Sequence, residues 1–311
     1  MGWWLGQSLG PSVIAAFRQR IPWSALFATY LFAGLFLLVG AMPDTAGAAT
    51  RQGAASVSKP IVSAAQGTVV RWSVPGTTRC RMGGRSWAPL GETCYFPIDL
   101  EKAPGMITVA RGSKGRSETA RIRIEPRDYG TEEIELPAIP QANPSADDIR
   151  RNANERVLLA KVFNRKEGPA SFTLPLGKPA DLLPKGKNNF GVDRSFNGKA
   201  AKQPHTGSDY AIPSGAPVLA AADGTVALAQ DLFYPGNSVI IDHGDGLISM
   251  YFHLSDLKVT TGQAVKKGDA VGLVGTTGRS TGPHLFFGVR WHNARVDPAL
   301  VLGDPARIPA I

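Results

Sequence analysis

From residue 58 onward, short apolar runs alternate with Gly, Pro and Ser breaks, the two-residue period of strands rather than the longer period of helices. GTVVRWSV (67–74), CYFPIDL (94–100), GMITVAR (105–111) and ARIRIEP (120–126) each suit one strand and are rich in β-branched and aromatic residues. They predict a small β-sandwich, immunoglobulin-like in architecture, over residues 58–137. The period then changes. In a linker at 138–175, Ser145 is placed to cap a helix whose first turn carries Asp147 and Asp148, acids suited to the positive end of the helix dipole. Ile149, Ala153, Val157 and Ala160 follow at helical spacing, which predicts a helix over 145–163, read as a solvated connector between two β regions. Residues 176–303 return to glycine-punctuated strands: PVLAAADGTVALA, SVIIDHG, LISMYFHL, AVGLVG and HLFFGVRW. Two segments, SGAPVLAAADGTV (214–226) and TGQAVKKGDAVGLV (261–274), echo each other as repeated hairpins of one sheet do. The expected fold class is mainly β.

The first 48 residues stand apart. Arg18 and Arg20 precede residues 21–42, which carry no charge and are about long enough to cross a bilayer. Ala46-Gly47-Ala48 then offers a small-x-small cleavage site. Either a signal peptide ending near residue 48 or a single membrane anchor at 21–42 follows from this pattern. Both export the body, to the periplasm or cell envelope. Charge adds little to that picture. Residues 51–127 hold 13 Lys plus Arg against 5 Asp plus Glu, so most of the net +9 of the 311-residue chain lies there. An anionic wall or membrane surface suits such a stretch. A nucleic-acid role is disfavoured, because no recognition helix, RNA-binding strand motif or zinc-finger spacing accompanies it. The two cysteines, Cys80 and Cys94, lie in the same stretch with no histidine nearby. In an oxidising compartment they read as one disulfide closing a loop of about 15 residues.

Candidate chemistry is confined to the C-terminal half, where all five histidines fall between residues 205 and 292. HTGSDY (205–210) sets His205 four residues before Asp209, and Gly207 and Ser208 argue for a loop entering a strand rather than a helix. Imidazole and carboxylate converging from such a loop are ligands that zinc accepts. A serine hydrolase is a poor competitor, since no Gly-x-Ser-x-Gly elbow is present. In TGPHLFFGVR (281–290), His284 and Phe286 are two apart on a strand and face the same side.

Taken in order, HTGSDYAIPSGAPVLAAADGTV, GNSVIIDHGDGLISMYFHLSDLKVTTGQAVKKGDAVGLVGTTGRSTGPHL and VDP resemble the lysostaphin/LytM-type zinc metallopeptidases, from about residue 189 to 298. The resemblance implies a compact antiparallel sheet of the duplicated hybrid motif and cleavage of peptide bonds in cell-wall peptidoglycan by zinc-activated water. Carried over by position, it implies His205 and Asp209 as zinc ligands. It implies His253 and His284 as the histidines that hold and polarise the attacking water and the oxyanion. The family's third protein ligand is a histidine two residues after His284, where this chain has Phe286. A phenyl ring has no lone pair, so two protein ligands remain where catalytic zinc usually takes three. His292 lies six residues further on, roughly 20 Å if extended. His243, in the DHGDG turn, matches no ligand position, and His284 could serve the metal only by leaving the water. His243 therefore reads as a turn residue, His292 as a surface or packing histidine, and Tyr251 as packing rather than cleft lining. Two functions follow: a peptidoglycan endopeptidase with an impaired zinc site, or a non-catalytic module that binds peptidoglycan or regulates another cell-wall hydrolase.

Overall fold

A computed structural model describes residues 60–113, 115–165, 167–184, 189–199 and 203–311. The expected leader or anchor lies outside the described residues; among those described, no helix is long and apolar enough to cross a membrane. Arg116–Glu125 is an inner strand of the N-terminal sheet. It pairs parallel with Ile61–Ala65 and antiparallel with Gly105–Ser113, which continues to Arg79–Met82 and Arg85–Trp87. Along Arg116–Glu125, Ala120, Ile122 and Ile124 are buried, while Arg116, Arg123 and Glu125 are exposed. The basic character of this region is thus largely the solvated side of an amphipathic sheet.

A ribbon of Val69–Ser73 and Thr93–Pro97 adds Val70, Trp72 and Phe96 to the same core. Cys80 and Cys94 are joined by a disulfide within it, both fully buried. Replacing both by alanine is expected to cost about 3 kcal/mol, the chain-entropy value for a loop of this length. Urea melts read the difference; an unshifted midpoint would show that the bridge adds nothing.

The helix runs from Ala146 to Phe163. Ser145 caps it reciprocally: its side chain accepts from the Asp148 N–H, and the Asp148 carboxylate accepts from the Ser145 N–H. Its buried face is not the expected one. Ile149 and Val157 are more than half exposed, whereas Val162 is buried and Leu158, Leu159 and Phe163 pack with it against Leu228, Ile240, Ile248, Met250 and Phe286. The helix is therefore docked on the sheet, not a solvated connector. Arg151 pairs with Asp231, and the Glu155 carboxylate accepts from the Phe233 N–H.

Among the described residues the C-terminal sheet has nine strands. Its main path runs Gly207–Tyr210, Leu285–Trp291, Leu247–Leu257, Gly236–Asp242, Gly224–Leu232 and Ala264–Val265, all antiparallel. Ala270–Val274 pairs both Leu247–Leu257 and Pro217–Leu219. The two echoing sequence segments therefore pair with each other: Pro217–Leu219 with Ala270–Val274, and Gly224–Leu232 with Ala264–Val265.

The described residues, from 60 onward, pack as one compact unit. Trp291 is fully buried at the junction of the two β regions, stacked on Tyr95 at 5.0 Å and edge-on to Phe172. Asp99 accepts from Arg295 at 3.0 and 2.5 Å, and Ala310 bridges to Arg71. His292 belongs to this junction as well, with Trp87 4.2 Å away and Glu167 Oε2 3.2 Å from its Nδ1. It is a packing residue.

Candidate functional site

Register sets the site. Asp209 on Gly207–Tyr210 lies directly opposite Phe286, and Phe286 lies directly opposite Phe252 on the next strand. These three side chains form one cross-strand row. Gly207 permits it: a Cβ there would fall 2.5 Å from the Phe286 ring and 2.6 Å from the Phe287 carbonyl oxygen. The adjacent row, Ser208, Phe287 and Tyr251, points to the opposite face. Tyr251 is accordingly fully buried, its hydroxyl accepting from the Ala221 N–H and the Ser249 hydroxyl. His253 escapes the parity that would place it with Tyr251, because it sits at φ 64 next to a register shift. It reaches the Phe286 side instead.

His205, Asp209, His253, His284 and Phe286 all line one cleft of about 810 Å³. His205 Nδ1 lies 3.0 Å from the Asn189 carbonyl, His253 Nδ1 2.8 Å from that of Thr277, and His284 Nδ1 2.9 Å from that of Gly282. A carbonyl only accepts, so each Nδ1 carries a proton and Nε2 is the ring atom left to face the cleft. Two of these atoms, from His205 and His284, lie 3.2 and 3.6 Å from Asp209 Oδ1. That oxygen is buried without a well-directed hydrogen bond. Its twin, Oδ2, accepts from Arg194 at 2.9 Å and from Asn189 at 3.2 Å. Burial alone would raise the Asp209 carboxyl, but His205, Arg194 and His284 around it hold it well below the ordinary carboxylate range.

His205 Nε2 and Asp209 Oδ1 thus face each other as a ligand pair would, and the buried, unsatisfied oxygen marks a place for a cation. The next position in the row is closed. Phe286 is 5% exposed, stacks on Phe252 at 4.7 Å and turns its edge to His205 at 5.3 Å. Among the described residues, no group of three or more His, Cys, Asp and Glu is arranged to hold a metal. The residues present do not make a complete zinc site.

His253 has a further property. Burial first, then the neighbouring His284, depress its pKa from 6.5 to about 4. Between those values the unfolded chain binds a proton that the native ring does not, so stability rises with pH across that window and falls on acidification. The His253 ring resonance is expected to titrate near pH 4 in NMR. A midpoint near 6.5 would show a solvated imidazole.

The other histidine, His243, is buried beneath the sheet, Nδ1 2.7 Å from the Asp223 carbonyl and Nε2 2.7 Å from Ser249 Oγ. It takes no part in the cleft. Sequence reasoning missed Asn189, Arg194 and Arg279, all of which line it. Arg194 comes from Asp193–Phe196, held beside the site by Gln203–Pro204 and Thr131–Ile134. Nothing in the local pattern around NNFGVDR marks that arginine as a partner for Asp209.

The profile of peptidase family M23 matches residues 203–298, the span containing the whole row and all three cleft histidines. Residues 203–298 form an M23 peptidase domain. Over 150 residues the chain is 40% identical to the peptidoglycan DD-endopeptidase ShyA of Vibrio cholerae, covering 43% of this chain and 35% of that protein. Over 94 residues it is 45% identical to ShyB of the same organism, covering 30% and 22%. The chain therefore spans about a third or less of the length of these relatives. A Pseudomonas aeruginosa crystal structure assigned to peptidase M23 superposes with a TM-score of 0.59 at 29% identity, covering 77% of this chain and 94% of that one. The mainly β fold of the M23 domain agrees with that likeness. The family is zinc-dependent, which makes Phe286 the position of interest in this member.

Proposed function

We propose that this chain is an exported cell-envelope protein whose M23 domain engages peptidoglycan peptides in the cleft but hydrolyses them poorly, because Phe286 stands in the family's third zinc-ligand position. The names of the V. cholerae relatives, peptidoglycan DD-endopeptidases, support the substrate class. The row Asp209–Phe286–Phe252 carries the impairment: an apolar ring, packed on both sides, stands where a lone pair is needed.

His205 and Asp209 are the candidate zinc ligands that remain, and His253 and His284 the candidate water-orienting histidines. His253 and His284 lie with ring centroids 4.7 Å apart, and both engage a carbonyl through Nδ1, leaving Nε2 for the cleft. Such a pair can still accept hydrogen bonds from peptide N–H groups.

Co-sedimentation with purified sacculi tests the reading. The full chain is expected to pellet with sacculi while releasing little soluble peptide. Failure to pellet would remove the peptidoglycan assignment. Release as fast as from a Phe286→His variant would remove the impairment. Modulation of a second cell-wall hydrolase mixed into the same assay would favour the regulatory role.

A further inference from the structure

Arg279 is an arginine in the cleft that has no anionic partner among the described residues. It lies on the turn between Ala270–Val274 and Leu285–Trp291, five residues before His284, and its N–H donates to the Tyr234 carbonyl at 2.8 Å. Its guanidinium sits over two aromatic rings, 3.9 Å from the Phe196 centroid and 4.8 Å from that of Tyr234. One Nη2 hydrogen bond, to Gln203 Oε1 at 3.1 Å, completes its polar contacts among the described residues.

Arg194 in the same cleft shows the contrast. It is neutralised twice, by Glu132 at 3.0 Å and Asp209 at 2.9 Å. Among the described residues no carboxylate pairs with Arg279. Glu133 and Glu135 line the same cleft without reaching ion-pair distance of it. Withdrawing a guanidinium from water without a counter-charge is unfavourable, and an anionic ligand offsets it. The two rings and Gln203 fix the planar fork, so little freedom is left to lose when it binds.

We propose that Arg279 is a specificity-determining residue of the cleft that binds a free carboxylate of a cell-wall peptide through paired N–H donors. This rests on the reading that the cleft takes peptidoglycan peptides, and it names which chemical group they must present. Planar, bidentate recognition of a carboxylate is the contact for which arginine is suited and lysine is not. Burial lowers the Arg279 pKa, Tyr234 partly offsets that effect, and the charge of Arg194 adds to the lowering.

The test uses the full chain and dye-labelled synthetic stem peptides in three forms: all carboxylates free, the C-terminal carboxylate amidated, and the internal carboxylates amidated. Fluorescence anisotropy reads affinity. Wild type is expected to bind the free peptide about tenfold or more tighter than one of the amidated forms, about the strength of a charge-assisted hydrogen bond. Which form is weakened identifies the carboxylate as terminal or internal. Arg279→Ala is expected to bind all three alike, and Arg279→Lys to keep only part of the discrimination, with unchanged melting temperatures excluding misfolding. If Arg279→Ala still pellets with sacculi and still discriminates like wild type, the proposal is overturned while the peptidoglycan reading stands. If wild type discriminates among none of the peptides yet pellets, the proposal also fails alone. If wild type binds neither peptides nor sacculi, both fail.

Discussion

Phe286→His is expected to raise zinc affinity by at least about 100-fold, since even the partners that merely orient a ligand are worth 10–100-fold. It is also expected to start the release of soluble peptide from sacculi. The row explains the size of the effect. Position 286 lies directly opposite Asp209 and its side chain already touches His205, so an imidazole there is delivered to the bare pair His205 Nε2 and Asp209 Oδ1. Three protein ligands then surround the metal, the usual catalytic count, with room left for water. Without metal the variant should be less stable than wild type, because a buried imidazole replaces a ring stacked on Phe252. Zinc should reverse that order, adding about 2.7 kcal/mol when the metal is at 100 times its Kd. Calorimetric zinc titration, thermal melts with and without zinc, and sacculus assays read these effects separately. A variant that binds zinc no better than wild type would show that the Phe286 ring is not what limits the site.

Trp291→Ala is expected to be the most damaging core substitution, costing about 3–5 kcal/mol. Its side chain fills the junction between the two β regions, stacked on Tyr95 from one and edge-on to Phe172 from the segment leading into the other. Removal also deprives the Asp245 carbonyl of the indole N–H that donates to it at 3.1 Å. For a unit of this size the melting temperature should fall by about 6–20 °C. Leu182→Ala is the control: 84% exposed, it should stay within about 0.5 kcal/mol of wild type. Thermal denaturation of both variants checks the pair. A small loss at Trp291 would mean that the two β regions are stabilised independently.

The strands were legible because alternation, as in ARIRIEP, is written residue by residue. Ser145 and its acidic first turn marked the helix start for the same local reason. The helix face was not legible. Ile149 and Val157 carry the helical period, yet the sheet offers its apolar surface to Leu158, Leu159, Val162 and Phe163, and burial follows the partner rather than the period. In the cleft, the ordered motifs located His205, Asp209, His253, His284 and the odd Phe286. What they left out depends on register and backbone geometry. Arg194 meets Asp209 only after a separate small sheet forms, and His253 enters the cleft through a positive φ that alternation does not encode. Arg279 acquires its setting from Phe196 and Tyr234, distant in sequence.

With Phe286 in the cross-strand row, the described residues of the M23 domain hold no group of three or more metal-binding side chains. Elemental analysis of the wild-type full chain, purified with zinc and then dialysed against a mild chelator, tests it most directly. Far less than one zinc per chain is expected. One tightly held zinc per chain would contradict it.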